Sequence, residues 1–408
     1  MQGPHERRII LQGARLDDAL QRCLGLASPY GTIRLFSPAN SNLREFLLFV
    51  NESSSDRWRW VLRSIDSGTE LSITRPPSVS WLTTLGRRAL TPGPELTRAL
   101  ELLPRALNLK IAVIGGGTGL FTTLLGLRDR TWNLTAIVNR LRPKPTRDPK
   151  DELGSLPPDD PSLCLVALAP PSAETTALRG LLEHQMGGGH FRGIHFGPLL
   201  LEALAEIEGS IQGGLDVCTK LLGVHGRIVL AENSVGTVED APPAAVQAIT
   251  QADMVVVAPG NVEVDTLPIL ERPQIAEAMH ATRGIKVAIT KIMTAEGDAT
   301  DQPTTSHQLE RIASRVPNSF DVVVANSASF TRRQLEAYAA VGARPVRPDA
   351  EKTALYAKVV VTDEIVASGH LARHDPDRLG ELLIEIGMKS VVAPRSPEGW
   401  LIRGVGAA

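Results

Sequence analysis

Cysteine is almost missing from this chain. Only Cys23, Cys164 and Cys218 occur, far apart and with no CxxC pair. That excludes a disulfide framework and a cysteine-built zinc site, and it fits a reducing compartment. Aromatic residues make up 4%, too few for a platform on which single-stranded nucleic acid could stack. An excess of one charge is lacking too: 43 basic residues face 45 acidic ones, for a net charge of −2. No global field therefore draws in nucleic acid or an anionic membrane. No apolar run approaches the ~20 residues that span a bilayer, and the polar opening MQGPHERRII lacks a secretory hydrophobic region. These absences predict a cytoplasmic protein with no membrane span and no nucleic-acid partner.

A chain of 408 residues exceeds one ordinary domain, so two units are expected. Residues 1–80 read as a small α+β unit with short β-type runs at Arg8 to Leu11, Thr32 to Phe36, Phe46 to Val50, Trp58 to Ile65 and Glu70 to Thr74. Leu16 to Leu26 has helical spacing. Residues 81–108 read as a helical linker, 109–393 as the main domain and 394–408 as a tail. The first unit carries no recognisable chemistry; an accessory role or a homo-oligomer contact suits it. From Leu109 strands and helices alternate. Lys110 to Ile114 is a buried strand, Thr118 to Leu127 a helix and Leu134 to Val138 the next strand. Further strands are expected at Cys164 to Leu168, Arg227 to Leu230, Met254 to Ala258, Lys286 to Thr290 and Val322 to Ala325, with helices at Pro198 to Glu208 and Leu215 to Leu222. This pattern predicts an α/β fold, a doubly wound, mostly parallel Rossmann-like sheet. The stretch from Arg140 to Pro161 holds six prolines and reads as a long loop.

Gly115-Gly116-Gly117-Thr118-Gly119 follows the first strand of the main domain and opens a helix. Glycines permit the tight turn and let a phosphate approach main-chain N–H groups, while the helix N-terminus adds its positive dipole end. The turn is not a dinucleotide fingerprint, because Leu120 stands where G-x-G-x-x-G needs its last glycine. The second strand runs into Val138-Asn139-Arg140 rather than an acidic residue. An NADP reading could enlist Arg140 and Arg142 for an extra phosphate. No Lys-Ser/Thr pair follows, so the turn is not a P-loop either.

The order of motifs resembles the family of the YvcK gluconeogenesis factors and the CofD phospholactate transferases. GGGTGL and the strand ending "TAIV" match its opening. Leu156 to Ala169 is similar to "PPGDIRNCLVALA", and Gly193 to Leu204 to "GHSLGNLFLAAL". Ala252 to Gly260 resembles "ADLIVLGPGS", Lys291 to Thr294 "NLMT", Asp321 to Asn326 "DYVIVN", and Arg373 to Pro376 "RHDP". The resemblance implies a CofD-like fold and a site at the carboxyl edge of the sheet that takes a small phosphorylated or nucleotide ligand. In one branch that ligand is a UDP-sugar and the role is regulatory, in carbon metabolism and in cell-wall and cell-shape homeostasis. The alternative is the other branch, a phospholactyl-type transferase acting on a nucleotide diphosphate with magnesium. Residues carried over onto the site are Gly115 to Gly119, Asn139, Arg140, Arg142, Asp160, His195, Gly197, Pro259, Gly260, Asn261, Lys291 and Asn326; no catalytic residue is assigned.

The departures fall on polar positions. The family's acidic "ADDGG" stretch is replaced by Leu141-Arg142-Pro143-Lys144-Pro145. Magnesium wants oxygen ligands, and neither Arg142 nor Pro143 offers a side-chain oxygen, so no metal or required cofactor is expected. Lys291 replaces the asparagine of "NLMT". Arg140, Arg142, Lys144, Arg147 and Lys150 follow the second strand, and such a loop could grip a diphosphate directly. His184, His190 and His195 bracket three glycines without zinc-motif spacing. Glu263 and Asp265 read as surface or helix-start charges.

Overall fold

The computed structural model describes residues 109–392 except 132, 140–159, 171–172, 189–191, 194, 225, 233–240, 295–302, 318–319, 341 and 370. In residues 1–108 it describes five strands, Arg15, Asp17 and Leu20. The chain divides into two compact units, Met1–Asn108 and Leu109–Ala408.

The first unit contains an antiparallel sheet of β1 (His5–Gln12), β2 (Thr32–Phe36), β3 (Leu43–Phe49), β4 (Arg57–Ile65) and β5 (Gly68–Arg75), in the order β1-β5-β4-β3-β2. Register pairs Trp60 with Phe46 and Ile73, and Leu62 with Leu71, so β-prone residues meet across strands. Leu62 is fully buried, and the helical Leu20 is buried as well. The helical run expected at Leu16 to Leu26 falls otherwise outside the described residues, as does the linker.

The second unit is built on seven strands: β6 (Lys110–Ile114), β7 (Asn133–Val138), β8 (Arg227–Leu230), β9 (Met254–Val257), β10 (Ile285–Ile289), β11 (Val322–Asn326) and β12 (Val359–Asp363). Their order is β12-β11-β10-β9-β6-β7-β8, and every pairing is parallel. Counted from β6, the chain steps outward to β7 and β8. It then returns to the other side of β6 and steps outward again. That is the doubly wound Rossmann order with one strand added. The strands read as apolar runs because both faces are covered. Ala112, Ile114, Val255 and Val257 pack with Ala245, Ile249, Ile275, Ala278 and Met279 from the Pro243–Thr250 and Pro273–Ala281 helices.

Two helices at opposite ends of the unit's sequence cross at glycines. A Cβ on Gly126 would stand 2.2 Å from the Pro376 carbonyl oxygen, and one on Gly380 2.2 Å from that of Gly126. The Gly117–Leu127 and Pro376–Val392 helices thus touch backbone to backbone. The buried Arg130 guanidinium clamps the crossing, donating to the Gly126 carbonyl and to the Asp377 carbonyl and carboxylate.

One expected element is wrong in kind. Cys164 to Leu168 is no strand but the end of an α-helix, Asp160–Leu168. Every residue from Pro161 to Ala169 is buried, so the helix shows no polar face. A short apolar run of this sort cannot be told from a buried strand by periodicity.

Candidate functional site

All seven strands of the main sheet run the same way, so their carboxyl ends share one edge. The switch point lies between β6 and β9, where consecutive connections leave in opposite directions and ligands of open α/β sheets bind. The two loops that meet there are Gly115 to Gly119 and Ala258 to Asn261.

The glycines of the first loop do unequal work. Gly115 has φ 151° and Gly117 φ 65°, conformations that favour glycine. A Cβ on Gly115 would stand 3.1 Å from the Ala258 Cβ, and one on Gly119 only 1.5 Å from the Pro259 carbonyl oxygen. Gly115 and Gly119 are therefore accounted for by the close approach of the β6 and β9 loops. Gly116 is the extended N-cap of the Gly117–Leu127 helix and makes no side-chain cap. Thr118, in the first turn, is exposed. The first-turn N–H groups of such a helix face outward, where the helix dipole favours an anion.

One strand over, Asn139 ends β7. It is 7% exposed, and its buried Oδ1 finds no hydrogen-bond partner among the described residues. Leaving such a group unsatisfied costs about 1–3 kcal/mol. Arg140 and Arg142, with Lys144, Arg147, Lys150 and the PPDD loop up to Asp159, lie outside the described residues. Asp160 opens its helix, but its side chain is not described.

The β9 loop is closed by a carboxylate. Asp265 accepts from the Asn261 N–H at 2.8 Å, and a Cβ on Gly260 would meet its Oδ2 at the same distance. Of the two readings, surface or helix-start charge, Asp265 takes the second: it is buried in the first turn of the Val262–Thr266 helix, drawn inward by capping the 260–261 turn. Asn261 caps the π-helical turn Val262–Thr266 through the Glu263 N–H. Glu263 is a surface charge, paired with Arg311 at 2.7 Å.

Lys291 leaves the end of β10. Its N–H donates to Gln308 Oε1 at 2.9 Å. The preceding Thr290 carbonyl accepts from His374 Nε2 at 3.1 Å. His374 is buried, and that burial pushes its imidazole down to about 4. Asp375 caps the last helix by accepting from the Arg378 N–H at 3.0 Å. The RHDP motif is thus a brace between the last helix and β10. A small cleft of about 50 Å³ is lined by Asn261, Lys291, Thr304, His307, Gln308 and Arg311 among others. Sequence reading missed His307, Gln308 and Arg311. Their signal is helical spacing in Thr305–Ala313, the next helix after β10 among the described residues.

The remaining expected residues serve the scaffold in this conformation. Asn326 spends its amide on its own turn, bonding both ways with Ala328 and accepting from Ile365. His195 is the buried N-cap of the Phe196–Glu208 helix and bridges to Gln185. Gly197 packs beneath it, where a Cβ would meet the Leu182 carbonyl oxygen at 2.8 Å and Ser162 Oγ at 3.0 Å. His184 is exposed, and His190 lies outside the described residues.

Magnesium does not fit the donors described at this edge. Glu232 pairs with the buried Arg272 at 3.1 Å, and Glu263 with Arg311. Arg378 grips both Asp363 oxygens at 2.8 and 2.7 Å, and Asp265 holds the Asn261 turn. Each of these carboxylates already holds at least one such bond, with which a hard cation seeking oxygen ligands would compete. The other cleft, about 340 Å³, sits at the amino edge between Lys110, Asn133, Arg227, Gln247 and Gln251, away from every loop discussed above.

The strand order and its switch-point loops define a doubly wound α/β protein, and comparison narrows this. The model of 2-phospho-L-lactate transferase CofD matches residues 111–239 and 231–366; the chain belongs to the CofD family. It is 26% identical to the gluconeogenesis factor of Bacillus subtilis over 321 residues, covering 68% of this chain and 98% of that one. It is 28% identical to the gluconeogenesis factor of Halalkalibacterium halodurans, covering 67% and 95%. A crystal structure of a upf0052 family member from Bacillus halodurans covers 67% of this chain and 99% of its own, with TM-score 0.59 and 27% identity. Among the described residues no helix is long and apolar enough to cross a membrane.

Proposed function

We propose that the carboxyl edge around Gly115 to Thr118 and Asn139 binds the phosphate of a nucleotide sugar of the UDP-sugar class, or of a related phosphorylated ligand. In this reading the protein is of the gluconeogenesis-factor type: it reports on carbon metabolism and on cell-wall and cell-shape homeostasis by being occupied, without turning the ligand over. The observation that carries the reading is Asn139. A buried amide oxygen left without a partner is kept where something else supplies one, and this one stands beside a glycine turn at a helix N-terminus. The relatives named gluconeogenesis factor support the biological setting. The replacement of the family's acidic stretch by Arg142 and Pro143 weighs against magnesium-dependent transfer.

Thermal unfolding with UDP-sugars, GDP, NADP and magnesium in turn tests it. A ligand at 100 times its dissociation constant adds about 2.7 kcal/mol of stability. The expected result is stabilisation by a UDP-sugar with or without magnesium. A shift that needs magnesium would favour the transferase instead, and no shift with any nucleotide would discard the proposal.

A further inference from the structure

We propose that the small cleft between the ends of β9 and β10 is an anion subsite, in which Lys291 and Arg311 hold a phosphoryl group of the ligand. The inference deepens the nucleotide reading, and rests on it only for what lies at the other end of the ligand.

Charge is the first argument. Lys291, Arg311 and His307 line the cleft together with the neutral Asn261, Thr304 and Gln308. Among the described residues, the acidic group paired with this lining is Glu263, held by Arg311. That pair is about half exposed on both sides, and exposed ion pairs of this kind contribute little. Arg311 can therefore exchange Glu263 for a phosphate oxygen at small cost, with the two-pronged geometry that guanidinium offers.

Size is the second. Sites for whole nucleotides or drug-sized ligands occupy roughly 300–1,000 Å³, whereas this cleft offers about 50 Å³. A space of that size suits one small tetrahedral group better than a base or a sugar ring. The ligand class it selects is a phosphoryl or pyrophosphoryl end.

Rigidity is the third. The backbone around Lys291 is held on every side: by Gln308 at its N–H, by His374 at the Thr290 carbonyl, and by Val346, which donates to the Ile292 carbonyl at 2.9 Å. Thr294 and Arg344 bond reciprocally, at 2.8 Å each way. A long flexible side chain anchored on so fixed a base loses less on binding. Position completes the case. Asn261 is shared between the cleft and the β9 loop that packs on the glycine turn, so both phosphate-holding features meet one connected stretch of the edge. Lysine at position 291 also replaces the family's asparagine, which adds a positive charge to the lining of the cleft.

The test uses the full chain with inorganic pyrophosphate as probe, then UDP and UMP. Lys291→Met should abolish thermal stabilisation by pyrophosphate and weaken UDP at least tenfold, while UMP changes less than twofold. Lys291→Arg should retain the pyrophosphate response, which separates lost charge from lost folding. Pyrophosphate that fails to stabilise the wild-type chain, or stabilises Lys291→Met equally, overturns the subsite. If no nucleotide binds but the pyrophosphate response still depends on Lys291, the subsite stands and the nucleotide reading falls.

Discussion

His374 is the residue whose chemistry is easiest to measure. Burial lowers its imidazole from 6.5 to about 4, while its Nε2–H holds the Thr290 carbonyl. The unfolded chain binds a proton near 6.5 and the folded chain resists until about 4. The group's contribution is therefore complete above pH 6.5, declines as pH falls towards 4, and is flat below. At 1.36 kcal/mol per unit, the loss between pH 7.5 and 4.5 is roughly 2–3 kcal/mol. Urea unfolding at those two pH values should show that loss in the wild-type chain and a much smaller one in His374→Gln. An equal loss in both would place the acid sensitivity elsewhere. Asp349 adds a second, lower threshold. Desolvation by burial works to raise it, but hydrogen bonds from Ser306 and Thr305 outweigh that and bring its carboxyl to about 2. Its contribution is present above the ordinary carboxylate range and disappears as pH falls through 2.

At the scale of elements, the glycine crossing is the feature to break. Gly380→Val forces side-chain atoms into the Gly126 carbonyl, and overpacking of this kind costs about 1–3 kcal/mol. Calorimetry should show a melting temperature several degrees lower, since 1 kcal/mol corresponds to about 2–4 °C in a domain of 150–250 residues. An unchanged melt would mean that the two helices separate freely. Much at this scale was legible in the sequence. Lys110 to Ile114 and Arg227 to Leu230 read true to the residue, because short β-branched runs bounded by turns leave few alternatives. The Asp160–Leu168 helix did not, because total burial erases its period. Nor did β12 stand out, with no motif to draw attention to it. For the site, sequence located the glycine turn and the β9 loop. It could not show that Gly115 and Gly119 answer to Ala258 and Pro259, a contact between positions some 140 residues apart. The same blindness to distance hid Arg311 behind Lys291.

For the whole molecule, the family match lies within residues 111–366, inside the second unit. A fragment of residues 109–408 should therefore fold unaided and give one cooperative denaturant transition. A broad, non-cooperative melt would show that the first 108 residues complete its core. Truncation from the other end should fare worse, and for a reason that also bears on synthesis. Gly126 sits on the first helix of that unit and Arg130 in the turn just past its end, and their partners Pro376, Asp377 and Gly380 lie on its last. On the ribosome the Gly117–Leu127 helix emerges almost 250 residues before its supporting surface exists. Nascent chains must then hold that apolar face uncovered until the Pro376–Val392 helix has been made, which makes this unit a natural client for chaperones.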